Sequence, residues 1–458
     1  MDSITKKSGL AKALIQAYGS TLDIMPYTFP IPEGILMLRR YLRDRQAREN
    51  DLWVLKENKH RGKGVTIVES KDLLPKLNSK YLASLRSGKK ENPYGYVLAQ
   101  RFIGNQMLID GFPFTFRIWT ILSCGPSTCR SYVFDGSIIP FGDKKVPPES
   151  GDSTVTNAED LIVNLFLQDR DSAKDPWSMR ELKDYLLNKT GTHDAFEKIW
   201  KDVKRITART LAAAIPNIRK EAKRLTNAHQ NTFEVLGVDF VVDAERKPWL
   251  IEVNYLPSMA RKVIGCLPGM EGSNQSSATL CKESIFDTQK EKLISGILEI
   301  LSTRHHIVSK SQSFSADVQR ALQDSQSQCA LSYKNAAEMI MIQFESHSAE
   351  ENGFSDITSD LYDSVLCIGS TQAERCLEQR QHSYQRRERW SLVQGIKFVQ
   401  QMLLMIPLLD IMDMQSKAVK SQPFTPSTMD YIMQYVSKHR LKNINISRSL
   451  EAACGTPL

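Results

Sequence analysis

Asp239, Glu252 and Asn254 lie within Phe233–Met259, FEVLGVDFVVDAERKPWLIEVNYLPSM, at a spacing that can bring three oxygen-bearing side chains together. Apolar residues alternate around Val238, Phe240 and Val242 and return over Trp249–Val253. With the polar segment Ala244–Lys247 between them, they predict an antiparallel hairpin closed by a four-residue loop. Setting Asp243 opposite Pro248 brings Asp239 opposite Glu252. The two-residue period of a strand then lines up Asp239, Asp243, Glu252 and Asn254 on one face, and Phe240, Val242, Ile251 and Val253 on the other. Carboxylates facing each other across two strands repel unless a cation neutralises them. Oxygen donors without sulfur or imidazole suit magnesium carrying a nucleotide phosphate better than zinc. A half-buried hairpin whose polar face meets solvent fits the same alternation.

A second stretch offers cations. Trp53–Leu55 reads as a strand ending in Lys56, the loop Glu57–Gly64 is ENKHRGKG, and Val65–Val68 reads as the next strand. Gly62 and Gly64 flank Lys63, so the backbone can approach a ligand closely and turn amide N–H groups toward phosphate oxygens, with Lys56 reaching in from the strand. The pattern is not G-x-x-x-x-G-K-[ST] and it leads into a strand, which argues against P-loop and dinucleotide folds. A basic β-hairpin is the plainer alternative. Arg117 is the one charge in the apolar run Phe114–Leu122, FTFRIWTIL. A buried arginine requires an anion, either a phosphate or an internal carboxylate.

The elements that must position these groups follow from the chain in order. A helix is expected around Leu10–Tyr18, then a proline-rich passage at Met25–Glu33, then a basic helix over Ile35–Arg48 with Met37, Leu38 and Tyr41 facing a core. Asn78–Pro93 reads as a polar loop or lid, Tyr96–Ile103 as a strand, and Ser131–Phe141 as a hairpin turning at Asp135-Gly136. Asp175–Lys189 and Ala195–Asn227 read as helices, the second interrupted at Pro216. After Pro268 the chain is expected to be a helical and partly flexible extension, with a helix over Lys282–Ser302 and a weaker one over Ser355–Leu366. The reading divides the chain into an N-terminal segment 1–50, a core 51–268 and an extension 269–458.

Composition bounds the partners. The 458 residues carry a formal net charge of +8, which fits an acidic partner. The run Arg380–Trp390 interleaves Arg386, Arg387 and Arg389 with Tyr384, but no nucleic-acid module accompanies it, so no nucleic-acid partner is expected. Gln401–Ile411 is too short and interrupted to cross a bilayer, and MDSITKKSGL lacks a signal peptide's apolar run. The eight cysteines show no CxxC spacing and are expected to be reduced thiols of an intracellular protein.

Taken together, KPWLIEVNYLPSM (Lys247–Met259), VDFVVD (Val238–Asp243), WVLKENKHRGKG (Trp53–Gly64), QRFI (Gln100–Ile103), FTFRIW (Phe114–Trp119) and VTN (Val155–Asn157) resemble the tubulin–tyrosine ligase-like family over roughly Tyr27 to Arg261. The resemblance implies an α+β, ATP-grasp-like body of mixed sheets with the nucleotide between subdomains. It implies ATP phosphates on Lys56 and on the loop residues Arg61, Gly62, Lys63 and Gly64, and adenine beside Gln100, Arg101, Phe102 and Ile103. Asp239, Glu252 and Asn254 would hold Mg2+, Asn254 would also meet the nucleotide, and Arg117 and Glu252 would be catalytic.

The implied reaction activates a carboxylate as an acyl phosphate, which an amine converts to an amide. The expectation is a polyglutamylase that modifies acidic tails of tubulin or microtubules with free glutamate, in cytoplasm, cytoskeleton or cilium. The family's K-F-D-x-R is replaced here by Pro113-Phe114-Thr115-Phe116-Arg117, and Ser137, Ile138, Ile139 and Pro140 stand where an arginine follows Gly136. These departures leave a second expectation, a noncatalytic tubulin-binding protein that retains the fold.

Overall fold

The structure is a computed structural model describing residues 2–21, 23–44, 51–59, 64–88, 92–124, 129–142, 144–146, 161, 175–222, 232–259, 285–301, 345–346 and 348–379. The chain divides into two compact units, and the first, residues 1–299 with 349–378, carries both sheets and the helices packed on them.

Two sheets organise this unit. The first runs β1 (Thr28–Pro30), β4 (Leu98–Arg101), β2 (Leu52–Lys56), β3 (Val65–Glu69), all antiparallel. Trp53 and Leu55 on β2 alternate inward and pack with Leu38 and Tyr41 of α3 (Ile35–Arg43) and with Leu73 and Leu77 of α4 (Ser70–Ser87). Lys56 ends β2 and lies buried. The apolar strand thereby carries a lysine into the interior.

The second sheet has the order β10 (Trp177–Ser178), β9 (Ile138–Ile139), β7 (Phe116–Cys124), β11 (Thr232–Val242), β12 (Pro248–Tyr255). β8 (Cys129–Phe134) pairs with β7 and with β13 (Phe354–Asp356), and a small ribbon joins β5 (Leu108–Ile109) to β6 (Phe112–Pro113). Its principal core gathers Phe116, Ile118 and Leu122 with Val238, Phe240 and Val242. Against these pack α2 (Lys7–Tyr18), α5 (Met179–Thr190) and α6 (Asp194–Ala222). The antiparallel pairing throughout, with helices on the sheets, is a mixed α+β architecture.

Several expectations change. Asn78–Pro93 is not a loop, since α4 continues to Ser87 and stops at Gly88, whose N–H caps Leu85 and Ser84 carbonyls. The polar residues there form a solvent face over Leu73 and Leu77. α6 runs through Pro216 without ending, and Met37 is 66% exposed although Leu38 and Tyr41 are buried.

The Ser131–Phe141 hairpin is also corrected. β8 pairs with β7 over Thr120–Cys124, and β9 then pairs with the same strand at Arg117. Asp135-Gly136 therefore offsets the chain along β7 and does not close a hairpin between β8 and β9. The cysteine expectation fails in the same region. Cys124 and Cys129 are register partners and form a disulfide, as do Cys367 and Cys376. Spatial pairing across strands leaves no signature in linear spacing. Helix 285–301 and a helix over Thr358–Val365 match the expected helices of the extension.

Candidate functional site

The β11–β12 hairpin pairs Gly237 with Asn254, Val238 with Val253 and Asp239 with Glu252. A bulge between Asp239 and Phe240 then shifts the register, so Phe240 faces Leu250 and Val242, not Asp243, faces Pro248. The apolar face consequently uses Leu250, buried with Phe240, Val242 and Val253, while Ile251 is only half-buried. Asp243 leaves the ligand face and closes the turn. Its carboxylate accepts from Lys247 N–H at 2.8 Å and from the Trp249 indole N–H at 2.8 Å.

At the other end of the hairpin, Asp239 is the register partner of Arg117 on β7 as well as of Glu252 on β12. Arg117 donates through Nε to Asp239 Oδ1 and through a terminal nitrogen to Oδ2 at 2.7 Å, a two-pronged pair. Asn254 Nδ2 donates to Asp239 Oδ2 at 2.9 Å and to Glu252 Oε1 at 3.1 Å. Burial raises the Asp239 pKa to about 6 against the pull of Arg117, with Glu252 adding to the rise. Burial also pushes Glu252 up, but Lys56, the Asn254 hydrogen bond, Lys7 and Arg117 together hold it below the ordinary value. Folding thus gathers adjacent carboxylates under cations from separate elements.

Lys56 is one of those cations. Its ammonium donates to Gln100 Oε1 at 2.9 Å, and Gln100 Nε2 donates to Thr28 Oγ1 at 2.9 Å, so β2, β4 and β1 fix it in place. Burial lowers its pKa to about 8, with Glu252 opposing and Lys7 reinforcing the fall. Gln100 therefore orients the lysine. Arg101 points elsewhere, to Asp51 at 3.1 Å, while Phe102 N–H joins Leu52 O and Ile103 follows the strand. Gly64 has φ +76°, and a Cβ there would lie 2.8 Å from Glu57 Cβ, so glycine is required where Glu57 N–H meets Gly64 O. Arg61, Gly62 and Lys63, as well as Val155–Asn157, lie outside the described residues.

Lys7 was not legible as a site residue. It opens α2, donates to the Lys59 carbonyl at the base of the glycine loop, and is coupled in charge to both Glu252 and Lys56. Nothing in the run TKKSG distinguishes it from a surface lysine. Among the described residues no three His, Cys, Asp or Glu side chains form a metal cluster. The donor set here is two carboxylates and an amide. It fits a hard divalent cation, because Asn254 spends its NH2 on both carboxylates and so would offer its amide oxygen beside Glu252. Asp239, held by Arg117 through both oxygens, would have to share its lone pairs.

A family model described as the tubulin-tyrosine ligase family matches residues 3–263. The chain is 27% identical over 280 residues to a probable beta-tubulin polyglutamylase of Tetrahymena thermophila, covering 57% of this chain and 21% of that protein. It is 25% identical over 277 residues to a tubulin polyglutamylase, ttll6, of Danio rerio, covering 56% and 32%. Over 276 residues it is 25% identical to the human tubulin polyglutamylase TTLL7, covering 56% and 29%. The chain thus spans less than a third of the length of these relatives.

Proposed function

The chain belongs to the tubulin-tyrosine ligase family, and from that premise we propose that it is an ATP- and Mg2+-dependent amino-acid ligase that adds glutamate to tubulin. The observation that supports this reading best is the Arg117–Asp239–Glu252–Asn254 cluster with buried Lys56 acting on Glu252. Such a site suits phosphoryl transfer, in which fixed charge and positioning do most of the work.

In this reading the nucleotide lies between the two sheets, with its phosphates against Lys56 and the glycine loop. Lys56 holds phosphate charge from β2, and Gln100 fixes the direction of its ammonium. Glu252 and Asn254, with Asp239, hold Mg2+, which when bound supplies charge neutralisation for the phosphates. Arg117 steadies negative charge on the acyl phosphate. Phe102 and Ile103, which follow β4, lie beside the adenine with Gln100, Arg101 being turned to Asp51, and Arg61, Gly62, Lys63 and Gly64 wrap the phosphates. Free glutamate supplies the attacking amine and a tubulin-tail glutamate the activated carboxylate. The +8 charge fits that acidic tail. Residues 51–268 form the catalytic core in this proposal, completed by 1–50 and followed by the extension 269–458. Cytoplasmic, cytoskeletal or ciliary residence follows from the substrate. Among the described residues no helix is long and apolar enough to cross a membrane.

The second reading, a tubulin binder without turnover, is favoured by one observation. Ile138 and Ile139 are fully buried in β9 and leave no charge on that strand. ATP-dependent incorporation of labelled glutamate, glycine and tyrosine into purified microtubules separates the two readings. Glutamate incorporation that disappears in Glu252→Gln is the expected result. A folded protein that binds microtubules and incorporates nothing would move the assignment to the binder.

A further inference from the structure

α3 and α4 pack against one face of the first sheet. Trp53 and Leu55 point from β2 toward them, so alternation turns Val54 and Lys56 to the opposite face, where Gln100 holds the lysine. The outward surface of the two helices therefore lies behind the sheet from the groups assigned to the nucleotide.

Buried Leu38 and Tyr41 fix the inner side of α3. The 3.6-residue period then sets Leu36, Arg39, Arg40 and Arg43 in a stripe on the outer side, with Met37 at its border. Leu36 is 72% exposed and Met37 66%. On α4, Leu73 and Leu77 fix the inner side, and Asn78, Leu82 and Leu85 follow at i, i+4 and i+7 on the outer one, the two leucines 53% and 58% exposed. Arg39 donates from a terminal nitrogen to Asn78 Oδ1 at 3.3 Å, which joins the two stripes. Large apolar residues recurring along adjoining exposed helix faces mark an interaction surface.

The charge of this surface is one-sided. Arg40 and Arg43 share Asp44, with Nε at 3.5 Å and 3.9 Å, and their side chains stay 79% and 77% exposed. Arg39 is bonded to a neutral amide, and Glu33, just before the helix, is engaged by Lys12 at 2.6 Å. Three arginines over one shared carboxylate leave positive charge in excess, and exposed Lys76 and Arg86 add to it on α4. Arginine and methionine without lysine on α3 match the composition of protein interfaces, in which lysine is depleted. Against a phosphate backbone the exposed leucines would be stranded.

We propose that the outer face of α3 and α4 is a docking surface for an acidic polypeptide segment. The identity of the partner rests on the ligase reading, in which the segment is a tubulin tail held apart from the one being modified. The arginines pair with its carboxylates, and the exposed leucines and Met37 cover the apolar stems between them. A microtubule offers many tails, so a second anchor makes the encounter with the site nearly intramolecular.

The test is cosedimentation of the full chain with microtubules and with microtubules whose tails a protease has removed. Arg40→Glu/Arg43→Glu should raise the Kd for intact microtubules about tenfold or more, and Leu36→Ser/Met37→Ser about threefold or more. Lys198→Glu/Lys201→Glu makes the same change in net charge at exposed positions of α6 and should stay within about twofold of wild type. On tail-free microtubules the wild type and the arginine variant should bind alike. An unchanged Kd in the α3 variants, equal weakening by the α6 pair, or the same loss on tail-free microtubules would overturn the inference. So would phosphatidylserine vesicles that bind the wild type and release the α3 variants while microtubule binding stands, which would assign the face to lipid.

Steady-state incorporation separates this inference from the ligase reading. The α3 variants should raise the KM for microtubules while the KM for ATP and for glutamate stays within about twofold, a split that a damaged fold would not give. A wild-type chain that incorporates nothing, yet binds tail-bearing microtubules through α3, would overturn the ligase reading and sustain the docking surface. Incorporation with wild-type microtubule KM in both α3 variants would refute the docking surface and leave the ligase reading intact.

Discussion

The two ends of the β11–β12 hairpin each bury an aspartate and treat it in opposite ways. Asp243, 6% exposed, receives neutral donors from the Lys247 backbone and the Trp249 indole, and Lys247 Nζ lies 3.8 Å over the Trp249 ring. It is satisfied inside its own turn. Asp239 instead meets an arginine from one neighbouring strand and a second carboxylate from the other. Burial and Glu252 raise its pKa to about 6, whereas the cations around Glu252 hold that carboxylate low. Local donors make a structural aspartate. Converging charges from several elements leave a surplus that a ligand can exploit.

Arg117→Ala should break this contrast most severely. It leaves Asp239 buried without its cation, so unfolding in denaturant at pH 7 should show a loss of about 3–5 kcal/mol. Incorporation should fall by roughly 10²–10³-fold, as when a preorganised charge-stabilising group is removed. The stability cost should shrink at pH 5. A group whose folded pKa is raised contributes stability that is present below its unfolded value and lost as pH rises through the folded value, so protonated Asp239 needs Arg117 less. An equal cost at both pH values would count against Asp239 as the partner that matters.

Lys56 sharpens the functional side. Its pKa is lowered to about 8, so the ammonium discharges as pH rises through that value. The kcat/KM for ATP should then drop by about tenfold per pH unit well above it, as expected for an essential acid of the free enzyme. Lys56→Arg should flatten the profile even where activity is reduced, because a guanidinium stays charged. The linked stability has the opposite sense to that of Asp239. It is present in full above the unfolded lysine value and is lost as pH falls through about 8.

The smallest functional effect is expected at the turn. Asp243→Ala strands the Lys247 N–H and the Trp249 indole, at a cost of about 1–3 kcal/mol in denaturant unfolding. Incorporation per folded molecule should remain within a few-fold of wild type. A loss comparable to that of Glu252→Gln would erase the distinction between the two ends.

The sequence by itself determined the pairing of the hairpin around Asp239 and Glu252. Alternation of Val238, Phe240 and Val242 against Val253 predicted paired strands with Asp239 opposite Glu252, and the polar break Ala244–Lys247 predicted the turn. Lys56 at a strand end and Arg117 inside an apolar strand were legible because a charge in an apolar run is conspicuous. Of Arg117's two predicted partners, the described side chains supply the internal carboxylate.

Only the tertiary structure decided which partners these charges meet. The bulge after Asp239 removed Asp243 from the ligand face and replaced Ile251 by Leu250 in the core, a one-residue shift that alternation cannot foresee. Lys7 comes from a helix distant in sequence, where a lysine reads as solvated surface until folding brings it within reach of Glu252 and Lys56. The physical reason is range. Period and propensity act over neighbouring residues, whereas charge coupling acts through space and exists only once the strands and helices have come together.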